Sequence, residues 1–159
     1  MKNLYLRKAK INDSKFLLKL YNFGVKENFF KNKNKISVTQ HNKWFKSSLK
    51  SKLVKIFICK KKNLKIGYIK LNFFRKNSSY ISLIIKPTFR KNNIGSFLLN
   101  KVCKDYFKSS RNQYIFAEVL KKNKNSKNFF KKNKFKSIKV SNNLSKIFNK
   151  KNYLFVRKK

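Results

Sequence analysis

The stretch that decides the reading of this chain is Ile84-Ile85-Lys86-Pro87-Thr88-Phe89-Arg90-Lys91-Asn92-Asn93-Ile94-Gly95-Ser96. A β-rich run at 79–86 (SYISLIIK) stops at Pro87, which cannot extend a paired strand. A helical repeat starts near Ile94: Ile94, Phe97, Leu98, Val102 and Tyr106 recur near the 3.6-residue period over about 94–108. Strand, turn and helix together aim several free backbone N–H groups at one helix N-terminus, where the dipole also favours negative charge. Arg90 and Lys91 add side-chain cations, and Gly95 lets a ligand come close to the backbone. The segment has the makings of a pyrophosphate cradle.

Working outward, residues 3–9 (NLYLRKA) alternate as a first strand, and Asn12 or Asp13 is placed to cap a helix over about 14–22. A second helix fits about 38–49, capped by Ser37 or Thr39, with His41, Trp44, Phe45 and Leu49 on one side. Residues 53–60 and 64–74 read as a hairpin broken at KKN. After the helix at 94–108 come a strand at 113–120 (QYIFAEVL), a helix at 123–133 and closing strands at about 134–140 and 152–158. The Lys/Asn-rich runs at 31–35, 60–63 and 121–128 are short and read as turns or helix surface. The order β-α-α-β-β-β-α-β-α-β-β predicts one α+β domain over 1–159: a mixed, mostly antiparallel sheet of six to seven strands flanked by about four helices.

Composition bounds the function. Hydrophobic residues make up 41% of the 159, enough for a core, so the chain is not disordered despite its net charge of +40. Such a charge usually marks a polyanionic partner. Here, however, 39 of the basic residues are Lys and only five are Arg, and they are spread along the whole chain. Nucleic-acid readers lean on Arg for bidentate contacts. Lys, Asn, Phe and Ile abound while Gly (3) and Pro (1) are scarce, the mark of an AT-rich coding sequence, so a nucleic-acid partner is not the preferred reading. Cys59 and Cys103 lie far apart in apolar contexts; with a single His they make no metal-type spacing, so no metal is assigned. The N-terminus has no apolar leader core and no run reaches membrane-spanning length, which predicts a soluble cytoplasmic protein without a membrane partner.

The segment Arg90-Lys91-Asn92-Asn93-Ile94-Gly95 resembles the acyl-CoA motif of the GNAT superfamily of N-acetyltransferases, Arg/Gln-x-x-Gly-x-Gly/Ala. Asn93 stands at the first Gly; Asn is the side-chain-bearing residue that best tolerates φ > 0. Downstream, Asn123, Ser126 and Phe130 followed by Lys134-Phe135 resemble the family's Asn-x-x-Ala/Ser-x-x-x-Tyr/Phe and Gly-Phe, with Lys134 in place of the Gly. The resemblance implies acetyl-CoA as cosubstrate. It implies backbone contacts to the pantetheine arm from Leu83, Ile84 and Ile85, and pyrophosphate contacts from Arg90, Lys91, Asn92, Asn93, Ile94, Gly95 and Ser96. It implies further cofactor contacts, beyond the pyrophosphate, from Asn123 and Phe130. Glu118, in an otherwise apolar strand, matches a position used as general base in some members, and burial there would raise its pKa. Phe130 stands where a Tyr usually protonates the thiolate, so no acid is assigned.

On the acceptor side, Ser37-x-x-x-His41-x-x-Trp44-Phe45 resembles acetyltransferases of sugar-nucleotide pathways, notably those acetylating a UDP-linked 4-amino sugar in pseudaminic-acid synthesis. The spacing puts His41 and Trp44 on one helix face. The resemblance makes Trp44 a stacking platform for the acceptor, and His41 a phosphate ligand or an aid to deprotonation. The packing alternative puts Trp44 and Phe45 in the core and His41 on the helix surface. A ribosomal-protein N-terminal acetyltransferase is the alternative enzyme, and a basic nucleic-acid-binding module the alternative of another class. Self-association into a homodimer is left open.

Overall fold

The protein is described from a computed structural model covering residues 3–30 and 32–159. The elements are β1 Leu4–Lys8, α1 Ser14–Lys26, α2 Val38–Lys50, β2 Val54–Lys61, β3 Leu64–Arg75, β4 Ser78–Ile85, α3 Ile94–Phe107, β5 Tyr114–Val119, α4 Lys124–Lys132, β6 Lys136–Ile138, α5 Asn142–Ser145 and β7 Tyr153–Lys158. The seven strands form one sheet in the order β1-β2-β3-β4-β5-β7-β6. Every neighbouring pair is antiparallel except β4 and β5, which run parallel. The α+β arrangement predicted from the sequence is the one observed. The Lys/Asn run at 31–35, whose Lys31 lies outside the described residues, is loop, and Lys62 and Asn63 form the β2–β3 turn.

Alternation along the strands assigns each side chain to a face. One face of the sheet packs Ile69, Leu71, Ile81, Ile85, Ile115, Ala117, Val119 and Phe155 against α3 and α4. The other face is covered in two places: α1 and α2 sit over Ile56, Ile58, Tyr68 and Ile84, while Phe148 and Leu144 lie over Phe116, Leu154 and Val156. Between those two covers the second face carries polar residues, Lys70, Asn72 and Ser82. Cys59 and Cys103 are buried and unpaired, and burial pushes the Cys103 thiol up to about 11.

Local signals explain most boundaries. Ser37 caps α2: its hydroxyl accepts the Gln40 N–H at 3.2 Å and the Gln40 side chain accepts the Ser37 N–H at 3.2 Å, a reciprocal capping box. Asp13 precedes α1 but does not cap it. Its carboxylate, 1% exposed, accepts from Arg7 at 2.6 and 2.7 Å, from Lys65 at 2.8 Å and from the Lys10 N–H at 2.8 Å. The acid therefore ties β1, β3 and the start of α1 together. The expected strand at 134–140 shrinks to three residues, and α5 was not anticipated.

Among the described residues, six lie in the left-handed region, and all are Asn or Lys: Asn3, Asn28, Lys62, Lys91, Asn93 and Lys134. None of the three glycines has positive φ. Lys134, at φ 65°, keeps the geometry of the Gly whose place it takes. A side chain there costs roughly 1–2 kcal/mol, so Lys134→Gly is expected to stabilise the protein by about 1 kcal/mol, read as a higher urea midpoint with an unchanged slope. A lower midpoint would show that the Lys134 side chain earns its place through contacts.

Candidate active site

β4 and β5 are paired only at Ser78–Tyr114, Ser79–Ile115 and Tyr80–Phe116. Beyond Tyr80 the two parallel strands part, and each runs on alone toward its helix. The Lys86 N–H donates to Ile66 O at 2.8 Å, which sets the phase of the β3–β4 ladder. Tyr80, Ser82 and Ile84 then bond to β3, while Leu83 and Ile85 turn their N–H and C=O toward the opening. Ile84, expected among the backbone contacts to the pantetheine arm, is corrected on this ground: its polar groups belong to the sheet. Ile85 O is already taken by Arg90 Nε at 2.9 Å. The opening therefore presents the Leu83 N–H and C=O and the Ile85 N–H to an extended polar chain.

The turn after β4 leads to the N-terminus of α3. Lys91 (φ 71°) and Asn93 (φ 54°), both left-handed, flank Asn92. Ile94 is buried in the core, so only its backbone serves a ligand. Asn93 tolerates the left-handed position where a Gly is usual, and Lys132 of α4 donates to its Oδ1 at 3.1 Å. Ser96 Oγ accepts from Asn133 Nδ2 at 3.0 Å, and Asn133, itself buried, also donates to Phe129 O at 2.7 Å. Lys132 and Asn133 were missed in the sequence; nothing in a Lys/Asn-rich run distinguishes them. Gly95 has a packing reason: a Cβ there would stand 3.2 Å from the Phe129 ring, so its absence brings α4 onto α3.

Arg90 is a second correction. Its guanidinium lies over the rings of Phe23 (5.7 Å) and Phe29 (5.1 Å), toward the end of α1, while its Nε holds Ile85 O. It secures the end of β4 and leaves Lys91 as the side-chain cation of the turn. Beside the α3 N-terminus an open groove of 850 Å³ runs from Asn93 and Ser96 along Lys101, Lys104 and Lys108. Asn123 Oδ1 caps α4 by accepting the Ser126 N–H at 3.0 Å. Phe130 is core, edge-on to Phe129 and Phe135 and stacked on Phe155.

Glu118 is also placed differently from the expectation. It is exposed, not buried, because it shares the second sheet face with Phe116, beside the gap between the two helical covers. Its Oε1 accepts from the Asn149 N–H at 2.9 Å and from Asn152 Nδ2 at 2.7 Å, while Oε2 accepts from none of the described residues. Tyr80 shares that face at the point where the strands part; burial, and then the Glu118 charge, raise its pKa.

On α2 the packing alternative holds for Phe45, which is fully buried, and is reversed for His41 and Trp44. His41 is 2% exposed, stacked on Phe45 at 5.7 Å, and its Nε2 has no hydrogen-bond partner. Burial lowers its pKa, so it is neutral at pH 7. Trp44 is 40% exposed and lies over the Lys70 ammonium, 5.0 Å from the ring centre. His41 and Trp44 do meet, at 5.3 Å.

A cofactor that is an anionic, extended thioester fits these parts: a strand opening with unpaired peptide groups, and a helix N-terminus with a basic groove beside it. Among the described residues no group of three or more His, Cys, Asp or Glu could hold a metal ion, and no helix is long and apolar enough to cross a membrane. The model of the acetyltransferase (GNAT) family matches residues 20–135. No curated protein matches the chain. Solved structures share the fold at low identity. A putative acetyltransferase of Salmonella typhimurium, solved with acetyl-CoA, is 14% identical, with 99% of this chain and 94% of that one covered and a TM-score of 0.78. A ribosomal-protein-alanine N-acetyltransferase of Brucella melitensis is 16% identical, with 98% and 99% covered and a TM-score of 0.78. A spermidine N-acetyltransferase variant of Vibrio cholerae is 15% identical, with 99% and 95% covered and a TM-score of 0.79. The matched segment contains the strand opening, the α3 N-terminus and α4, and the chain belongs to the GNAT family as an acetyl-CoA-dependent N-acetyltransferase.

Proposed function

We propose that the chain acetylates the primary amine of a nucleotide-linked amino-deoxy sugar. One observation carries this reading: Trp44 stands exposed over the Lys70 ammonium, above the sheet face that also carries Glu118, an arrangement that suits a flat or ring-shaped acceptor bearing negative charge. A polyamine, by contrast, would bring its charges against Lys70.

Bound acetyl-CoA supplies an activated carbonyl and a thiolate leaving group. Leu83 and Ile85 hold the pantetheine arm through their backbones, while Lys91 to Ser96 hold the pyrophosphate at the helix N-terminus. The amine attacks the carbonyl carbon; the C–N bond forms, the C–S bond breaks, and Glu118 Oε2 takes the proton that the amine sheds. His41, buried beneath Trp44, orients that ring and contributes to acceptor binding through it.

An acceptor screen followed by CoA release tests this. A UDP-linked 4-amino sugar is expected to give a kcat/KM at least tenfold above that for peptide N-termini or spermidine. A preference for ribosomal-protein peptides would replace the sugar by a protein N-terminus. Release with no amine at all would remove the proposal.

A further inference from the structure

The second face of the sheet is apolar under α1 and α2 and apolar again under Phe148. In the band between it turns polar. Register places Lys70 opposite Ser82, and Asn72 opposite Tyr80, on that band. Lys70 is set deep enough that burial lowers its pKa, yet among the described residues it has no ion pair and no hydrogen bond. The chain has four acids, and among the described residues none serves it: Asp13 is bound by Arg7 and Lys65, Asp105 by Lys108, Glu118 by Asn149 and Asn152, and Glu27 forms no salt bridge with a described residue. Two residues along the same face, Asn72 Nδ2 is buried with no acceptor. His41 Nε2, whose ring adjoins Trp44, is a second buried polar atom without a partner nearby.

An unpaired cation and an orphan donor side by side are costly in a folded protein. Both want the same thing, an oxygen with negative charge. Trp44 covers the ammonium from above and adds an apolar wall. A surface lysine of this very basic chain would be solvated; Lys70 instead sits half-buried on the polar band, beneath Trp44.

We propose that Lys70 and Asn72, roofed by Trp44, form an anchor for an anionic oxygen group of the acceptor, a phosphate or a carboxylate. The anchor rests on the acceptor face identified above, not on the acceptor being a sugar. It makes the enzyme select amines that carry an anion and reject polyamines.

The test uses full-length protein saturated with CoA, so that the cofactor's own anion site is filled, at 150 mM salt. UDP and succinate are titrated as probes of the two anion sources, against wild type, Lys70→Met and the surface control Lys52→Met. Binding of either probe to wild type, weakened at least tenfold by Lys70→Met and unchanged by Lys52→Met, is the expected result, and the probe that binds names the source. Lys70→Met should fold, because an apolar chain of similar length replaces an unpaired, half-buried cation; an unchanged or raised Tm confirms it. Equal binding to wild type and Lys70→Met, or binding of neither probe, overturns the anchor. If Lys70→Met weakens UDP while no UDP-linked amino sugar is acetylated, the anchor stands and the sugar reading falls. If the sugar is acetylated with a KM indifferent to Lys70→Met, the reverse holds.

Discussion

Asp13→Asn is expected to cost about 3 kcal/mol of stability, the lower part of the range for breaking a buried ion pair, because Arg7 and Lys65 retain 29% and 34% exposure and can be partly rehydrated. In a domain of this size that is a fall in Tm of roughly 6–12 °C. Asp105→Asn is the control: its partner Lys108 and Asp105 itself are both well exposed, so Tm should hardly move. The acid profile follows from the same contacts. Burial alone would raise the Asp13 pKa, but the hydrogen bonds from Arg7, Lys65 and the Lys10 N–H outweigh it and hold the carboxyl well below its usual value. A depressed folded pKa means that the stabilisation is complete above the unfolded carboxylate value near pH 4. It is lost progressively as the pH falls from there toward the folded value. Wild type should therefore lose stability below about pH 4 more steeply than Asp13→Asn. Parallel acid melts of the two proteins would show that the triad is not what joins β1, β3 and α1.

The second large effect falls on turnover. Glu118→Gln keeps the amide oxygen that accepts from Asn149 and Asn152 but removes the second carboxylate oxygen. A positioned general base is worth about 10²–10⁴-fold, so kcat/KM at neutral pH should fall at least a hundredfold, with the CoA dissociation constant unchanged. Glu118 belongs to the acceptor side of the opening, which is why the cofactor should not notice. A rate within threefold of wild type would remove Glu118 as the base and leave the amine to lose its proton to water.

Much of this was legible in the chain because it is local. Pro87 ending a strand, an apolar repeat starting at Ile94 and a turn between them suffice to aim backbone donors at one point, whatever surrounds them. Glycine was the poorer guide: the left-handed positions are held by Asn and Lys, and a scan for Gly at turns passes over Lys91, Asn93 and Lys134. Arg90 and Glu118 were misjudged for a different reason. The identity of a charged residue gives its chemistry, but only the neighbours decide where the charge is used. For Arg90 those neighbours are Phe23, Phe29 and the Ile85 carbonyl; for Glu118 they are Asn149 and Asn152, far away in sequence.

By itself, then, the sequence determined the order of elements apart from the short α5, the α+β class and the anion-binding turn, since periodicity and turn chemistry act over a few residues. Tertiary structure alone decided where β4 leaves β5, which backbone groups are thereby left open, and that Lys70, Asn72 and Glu118 share one sheet face with Trp44 over Lys70. Those residues come from β3, α2 and β5, and only strand register and the placing of α2 over the sheet bring them together, because contacts between distant segments are set by how whole faces pack.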